Sequence, residues 1–116
     1  MLNGLGLKTV LIALISVSLA SDSIAQTSIK FARGRNSATV KGSIRKDGET
    51  RYTVQGRAGQ TITVSVRSGN NYVFAGVEAI GQGRTVSGKL PYDSSYIIEL
   101  SNGGNVTNYT MTVTIK

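Results

Sequence analysis

Residues 109–116 read Tyr109-Thr110-Met111-Thr112-Val113-Thr114-Ile115-Lys116. Apolar side chains alternate with Thr or Lys without a break. Successive side chains of a strand point to opposite faces, so the segment predicts a β-strand with one buried face and one wet face. A helix, with about 3.6 residues per turn, would scatter the same apolar set around its circumference.

The pattern recurs upstream. Ala38, Val40, Gly42 and Ile44 alternate with Thr39, Lys41, Ser43 and Arg45. Tyr52, Val54, Gly56 and Ala58 alternate with Arg51, Thr53, Gln55 and Arg57, and Ile62, Val64 and Val66 with Thr61, Thr63, Ser65 and Arg67. Residues 72–80 and 96–100 are further strands, and 28–31 and 84–89 are weaker ones. Ile97 breaks the alternation, which implies cover on both faces of its strand. Turn signals fall between these runs: Arg33-Gly34-Arg35-Asn36, the hairpin signal Lys46-Asp47-Gly48-Glu49, Ala58-Gly59-Gln60, Ser68-Gly69-Asn70-Asn71, Pro91-Tyr92-Asp93-Ser94 and a flexible tip, Asn102-Gly103-Gly104-Asn105. About eight short strands at roughly ten-residue spacing predict an all-β fold, an antiparallel β-sandwich or barrel, with the sandwich preferred.

The chain begins differently. Lys8 precedes an apolar run from Thr9 to Ala20, too short for a bilayer span of about 20 residues. The small-x-small sites Ser18-Leu19-Ala20 and Ser23-Ile24-Ala25 follow, so 1–25 reads as a secretory signal peptide, with cleavage after Ala25 preferred to Ala20. Residues 26–116 then form a single sandwich domain, exported to the periplasm or medium and spanning no membrane after cleavage.

Composition narrows the chemistry. Among 116 residues there is no Cys, His or Trp, and the formal net charge is +7. Disulfides, thiol or imidazole catalysis and the usual zinc sites are excluded. No catalytic residue, metal site or cofactor is expected, and the protein reads as a non-enzyme. Ser43-Ile44-Arg45-Lys46 matches a Ser-x-x-Lys spacing, but on a strand and turn rather than a helix. Gly81-Gln82-Gly83 lacks the third glycine and the helix of a nucleotide loop, and reads as a loop or bulge between strands. Asp47 and Glu49 read as a solvated turn rather than a cation site.

The run Ile29-Lys-Phe-Ala-Arg-Gly34, then Ser37-Ala38-Thr39-Val40 and Gly42-Ser43-Ile44, resembles the start of a bacterial exported β-sandwich family. Tyr52-Thr53-Val54, Ala58-Gly59-Gln60-Thr61, Leu90-Pro91 and Asn108-Tyr109-Thr110 continue the likeness. The family is that of the periplasmic inhibitors of goose-type (g-type) lysozyme, and the likeness extends more loosely to the bacterial pre-peptidase C-terminal domain. The turn 45–49 departs from the inhibitors in having no Tyr, and the hairpin 101–108 in having no Arg.

The resemblance implies a protein-binding module that blocks an acidic enzyme cleft. Candidate contact residues are Arg33, Arg35, Arg45, Lys46, Arg84 and Tyr92. The expected partner is a g-type lysozyme or another acidic protein. Separately, Lys41, Arg51, Arg57 and Arg67, with Arg45, occupy outward positions on three successive strands. Paired as a meander, these strands would carry one basic face, and the loops at Arg33–Arg35 and Arg84 would share an end with the tip at 102–105. Such a face suits an anionic envelope polymer such as lipopolysaccharide or an acidic glycan. A solvated face that discourages edge pairing is the competing reading. Nucleic acid is not expected, because no aromatic stacking platform accompanies the charge.

Overall fold

A computed structural model describes residues 26–116. The signal peptide expected over 1–25 lies outside the described residues. Within them the chain is all β: β1 (Gln26–Ile29), β2 (Ser37–Ile44), β3 (Glu49–Gly56), β4 (Thr61–Ser68), β5 (Val73–Val77), β6 (Gly81–Gly83), β7 (Thr85–Lys89), β8 (Ser94–Asn102) and β9 (Thr107–Ile115). Two sheets pack face to face. One has the order β2-β9-β4-β7 and the other β1-β3-β8-β5-β6. All neighbours are antiparallel except β1, which runs parallel to β3 from Gln26↔Arg51 to Ile29↔Val54.

The alternation read from sequence sets which side chains face inward. Ile62, Val64 and Val66 of β4 are buried, as are Tyr109, Met111, Val113 and Ile115 of β9. They meet Tyr52 and Val54 of β3 and Tyr96, Ile98 and Leu100 of β8 in one core. Each large side chain so buried contributes roughly 1.5–3 kcal/mol. Ala58 is the exception: β3 stops at Gly56, and Ala58 is exposed in the following turn.

Strand order departs from a meander. Every connection except the β5–β6 turn passes from one sheet to the other. Asp47-Gly48 therefore makes its turn, with Asp47 at φ +58°, but joins strands in opposite sheets rather than a hairpin. The apolar faces of β2 and β3 look at each other across the core, which an arch allows and a hairpin does not.

Other corrections are local. The strand expected over 72–80 ends at Val77, because Ile80 N–H donates to Val77 O and Ala79 adopts φ +68°. Gly81–Gly83, expected as a loop or bulge, is a short strand paired with β5. Asn102 ends β8 buried, not in a flexible tip. Its side-chain Nδ2 reaches the carbonyls of Ile44, Arg45 and Asn105, and its Oδ1 accepts from Gly104 N–H and Asn70 Nδ2. At the other end of β8, Tyr96 Oη donates to the carbonyl of Tyr92, closing a tyrosine corner.

Candidate functional site

The register gives the sandwich two ends. Ser37, Ile115, Thr61 and Lys89 terminate their strands at the lower end, with Gly56 and Ser94 of the other sheet. Connections 30–36, 57–60 and 90–93 gather there. Connections 45–48, 69–72 and 103–106 gather at the upper end, around Asn102.

Two similar turns build the lower end. Arg35 N–H donates to Ala32 O, with Gly34 third in the turn at φ +76°. Gln60 N–H donates to Arg57 O, with Gly59 third at φ +89°. Glycine is favoured at that position because it takes positive φ without a Cβ penalty. The Gln60 side-chain carbonyl accepts from Arg57 N–H at 2.8 Å, and the Asp93 carboxylate accepts from Ala58 N–H at 2.8 Å. The turns thus hold Arg35 and Arg57 on one cleft of about 320 Å³, with Phe31, Asn36, Gln55, Gly56, Gln60 and Ile115 as its other walls.

Tyr92 lies on the 90–93 connection at the same end, outside the lining of this cleft. Its ring stacks on Tyr96 with centroids 5.5 Å apart and planes 13° apart, yet it remains 47% exposed. The stack restrains the ring, and the corner hydrogen bond holds the Tyr92 backbone carbonyl.

The predicted residues divide. Arg35 lines the lower-end cleft together with Arg57, and Arg33 and Tyr92 lie on connections at the same end. Arg45 and Lys46 lie at the opposite end, beside Asp47 and Glu49. Arg84 sits on a side edge where the chain leaves β6 for β7, its carbonyl accepting from Val66 N–H. The loop at Arg33–Arg35 therefore does not share an end with residues 102–105. The five-residue basic face is also divided. Lys41 and Arg67 flank the same β9 residue, Thr110, on one sheet. Arg51 lies on the other sheet, paired with Glu99 at 2.7 Å. Sheet-switching connections are the cause, since successive strands are not neighbours.

Sequence reasoning missed part of the lower end. Lys30, Lys89 and Lys116 belong to it, each exposed at a strand terminus. With Arg33, Arg35 and Arg57 they share that end with Asp93, its one acidic side chain among the described residues, whose carboxylate already serves the 57–60 turn. Strand-end positions were the signal, readable only with the correct topology. Among the described residues, no group of three or more acidic or metal-ligating side chains could hold a metal ion. No helix there is long and apolar enough to cross a membrane.

No protein-family model matches the sequence, and no curated protein matches it. Solved structures do. The fold resembles that of the periplasmic inhibitors of g-type lysozyme. Aeromonas hydrophila PliG, described as such an inhibitor, superposes with a TM-score of 0.73 at 28% identity, over 80% of this chain and 97% of its own. Salmonella Typhimurium PliG gives 0.68 at 19% identity, over 81% and 100%. The pre-peptidase C-terminal domain of Bacillus anthracis collagenase gives 0.53 at 17% identity, over 81% and 97%. The latter two likenesses concern the fold alone. Both resemblances read from sequence are present, and the PliG neighbours are inhibitors rather than enzymes.

Proposed function

We propose that this protein is an exported inhibitor of a g-type lysozyme, acting from the periplasm, and that its lower end makes the contact. The concentration of charge there carries the reading: Lys30, Arg33, Arg35, Arg57, Lys89 and Lys116 share the end with Asp93. A glycosidase cleft holds a pair of carboxylates. Guanidinium groups form charge-assisted, bidentate hydrogen bonds to carboxylates, and the field of the whole end steers encounter. Arg35 and Arg57 are the central cations and Tyr92 the exposed aromatic at the same end. The upper end suits the task less, because Asp47 and Glu49 offset Arg45 and Lys46.

The PliG likeness at 28% identity supports the choice of enzyme class. The test is a titration of residues 26–116 against goose-, chicken- and invertebrate-type lysozymes at about 0.15 M salt, where the Debye length is about 8 Å. Stoichiometric inhibition of the goose type is expected. Inhibition of none of the three would overturn the reading. Binding to lipopolysaccharide that vanishes at that salt would then favour the anionic-polymer alternative.

A further inference from the structure

The outer face of the β1-β3-β8-β5-β6 sheet carries an open trough of about 720 Å³, within the range of small-ligand sites. Its floor is the Arg51–Glu99 pair, Ile97 and the bare backbone of Gly76. Gln82 forms one side, and the turn through Glu78, Ala79 and Ile80 the other. That turn is fastened to the sheet: Glu78 N–H donates to Ile97 O, and the Glu78 carboxylate accepts from Ile97 N–H. Ala79 sits at φ +68° to make it, a conformation unfavourable for a non-glycine residue.

Gly76 is the informative residue. Glycine weakens a strand interior and there marks a bulge, a bend or the close approach of another group. The fold does not demand it. A Cβ at Gly76 would meet only Glu99 O at 3.8 Å and Gln82 Cβ at 3.9 Å, ordinary contacts, and its φ is not positive. At Gly42 and Gly56, by contrast, a Cβ would strike Tyr109 and Leu90. The missing side chain at Gly76 serves the trough.

The lining points to the chemistry. Arg51 and Glu99 pair through Nε and Oε2, which leaves the other Glu99 oxygen and the terminal guanidinium nitrogens without a side-chain hydrogen bond among the described residues. Gln82 adds an amide. Two positions along β5 from Gly76, on the same outward face, Phe74 is 40% exposed, and Tyr72 beyond it is 57% exposed. Donors and acceptors whose lining carries one net negative charge, with exposed aromatic side chains further along the same face, suit an uncharged ligand with hydroxyl edges and apolar ring faces rather than an anionic one. We infer that the trough binds a neutral oligosaccharide, its hydroxyls on Arg51, Glu99 and Gln82 and a sugar ring against Phe74. This site is separate from the basic end and does not depend on the inhibitor reading.

The test is isothermal calorimetry of residues 26–116 with chitotetraose, cellotetraose and maltotetraose, with amide NMR shifts locating the ligand. At least one sugar is expected to bind and to perturb β5, β8 and Gln82. Gly76→Val should keep the fold and thermal midpoint yet weaken binding at least tenfold, since its side chain fills the floor. Glu99→Gln and Phe74→Ala should each weaken binding several-fold, while Arg35→Glu leaves it unchanged. No binding of any of the three sugars would overturn the inference, as would binding that survives Gly76→Val undiminished. A lysozyme-inhibition failure would leave this result untouched, so the two readings fail separately.

Discussion

Tyr52 of one sheet and Tyr109 of the other meet hydroxyl to hydroxyl, 2.5 Å apart, inside the sandwich. It is a polar clasp between two apolar faces. Each hydroxyl satisfies the other, which removes the cost of burying either alone. Burial pushes the Tyr109 phenol well above its ordinary value of 10.0, and the hydrogen bond to Tyr52 adds to the rise.

The sign of the pH dependence follows. The folded state holds the Tyr109 proton more tightly than the unfolded chain does. Its contribution is complete below about pH 10 and is lost as pH rises further, by up to about 1.4 kcal/mol per pH unit. Tyr109→Phe should lose about 1 kcal/mol at neutral pH through the orphaned Tyr52 hydroxyl. It should also show a shallower alkaline decline than the parent. Urea midpoints between pH 7 and 11 read both effects, and parallel slopes would count against the assignment.

Gly42 lies opposite Tyr109 in the β2–β9 register, and a Cβ there would fall 2.6 Å from the Tyr109 hydroxyl oxygen. Gly42→Ala should therefore destabilise by about 1–3 kcal/mol, despite alanine's ordinary advantage over glycine in a strand. Adding Tyr109→Phe should recover part of the loss, because it removes the struck atom. A thermal-melt double-mutant cycle measures the coupling.

Asn102 holds three connections at the upper end through one buried amide. Asn102→Ala should cost about 2–4 kcal/mol, since several buried carbonyl and N–H groups lose their partner together. Hydrogen exchange should rise at Gly104, whose N–H donates to the Asn102 side-chain oxygen, and stay unchanged at the 57–60 turn. Uniform exchange across the molecule would contradict this local role.

The two ends can be compared directly in inhibition. Arg35→Glu with Arg57→Glu should weaken lysozyme inhibition by about 100-fold, while Arg45→Glu with Lys46→Glu should change it less than about threefold. Tyr92→Ala should weaken it about tenfold at unchanged thermal stability. The reverse ranking of the two double variants would move the contact to the upper end.

The amino-acid pattern was legible down to the facing of single side chains. Ile62, Val64 and Val66 face inward as the alternation required, and Gly34, Gly59 and Asp47 turn the chain where expected. Adjacency was not legible. Asp47-Gly48 looks the same in a hairpin as in an arch between sheets, because its local chemistry does not depend on which strand lies alongside. That ambiguity split the expected basic face and hid the contributions of Lys30, Lys89 and Lys116. Ile97 shows the intermediate case. Its break in alternation implied cover on both faces, and the outer face is only half covered, with Ile97 partly exposed beside the 78–80 turn. Asn102 was opaque for another reason: beside Gly103 and Gly104 its composition matched an exposed loop, and only the ring of backbone groups around it makes it core.

The position of β9 bears on how the molecule is made. The last of the described strands is an inner strand, flanked by β2 and β4. A chain emerging amino end first offers β2 no partner, and β4 only β7, until residues 107–115 arrive. No early hairpin can stand in for them, so the β2–β9 pairing spans most of the domain, a non-local topology of the kind that folds slowly. Until then β2 is an unpaired edge, open to strands of other chains. Any escort the nascent chain requires must therefore stay with it until residues 107–115 have emerged.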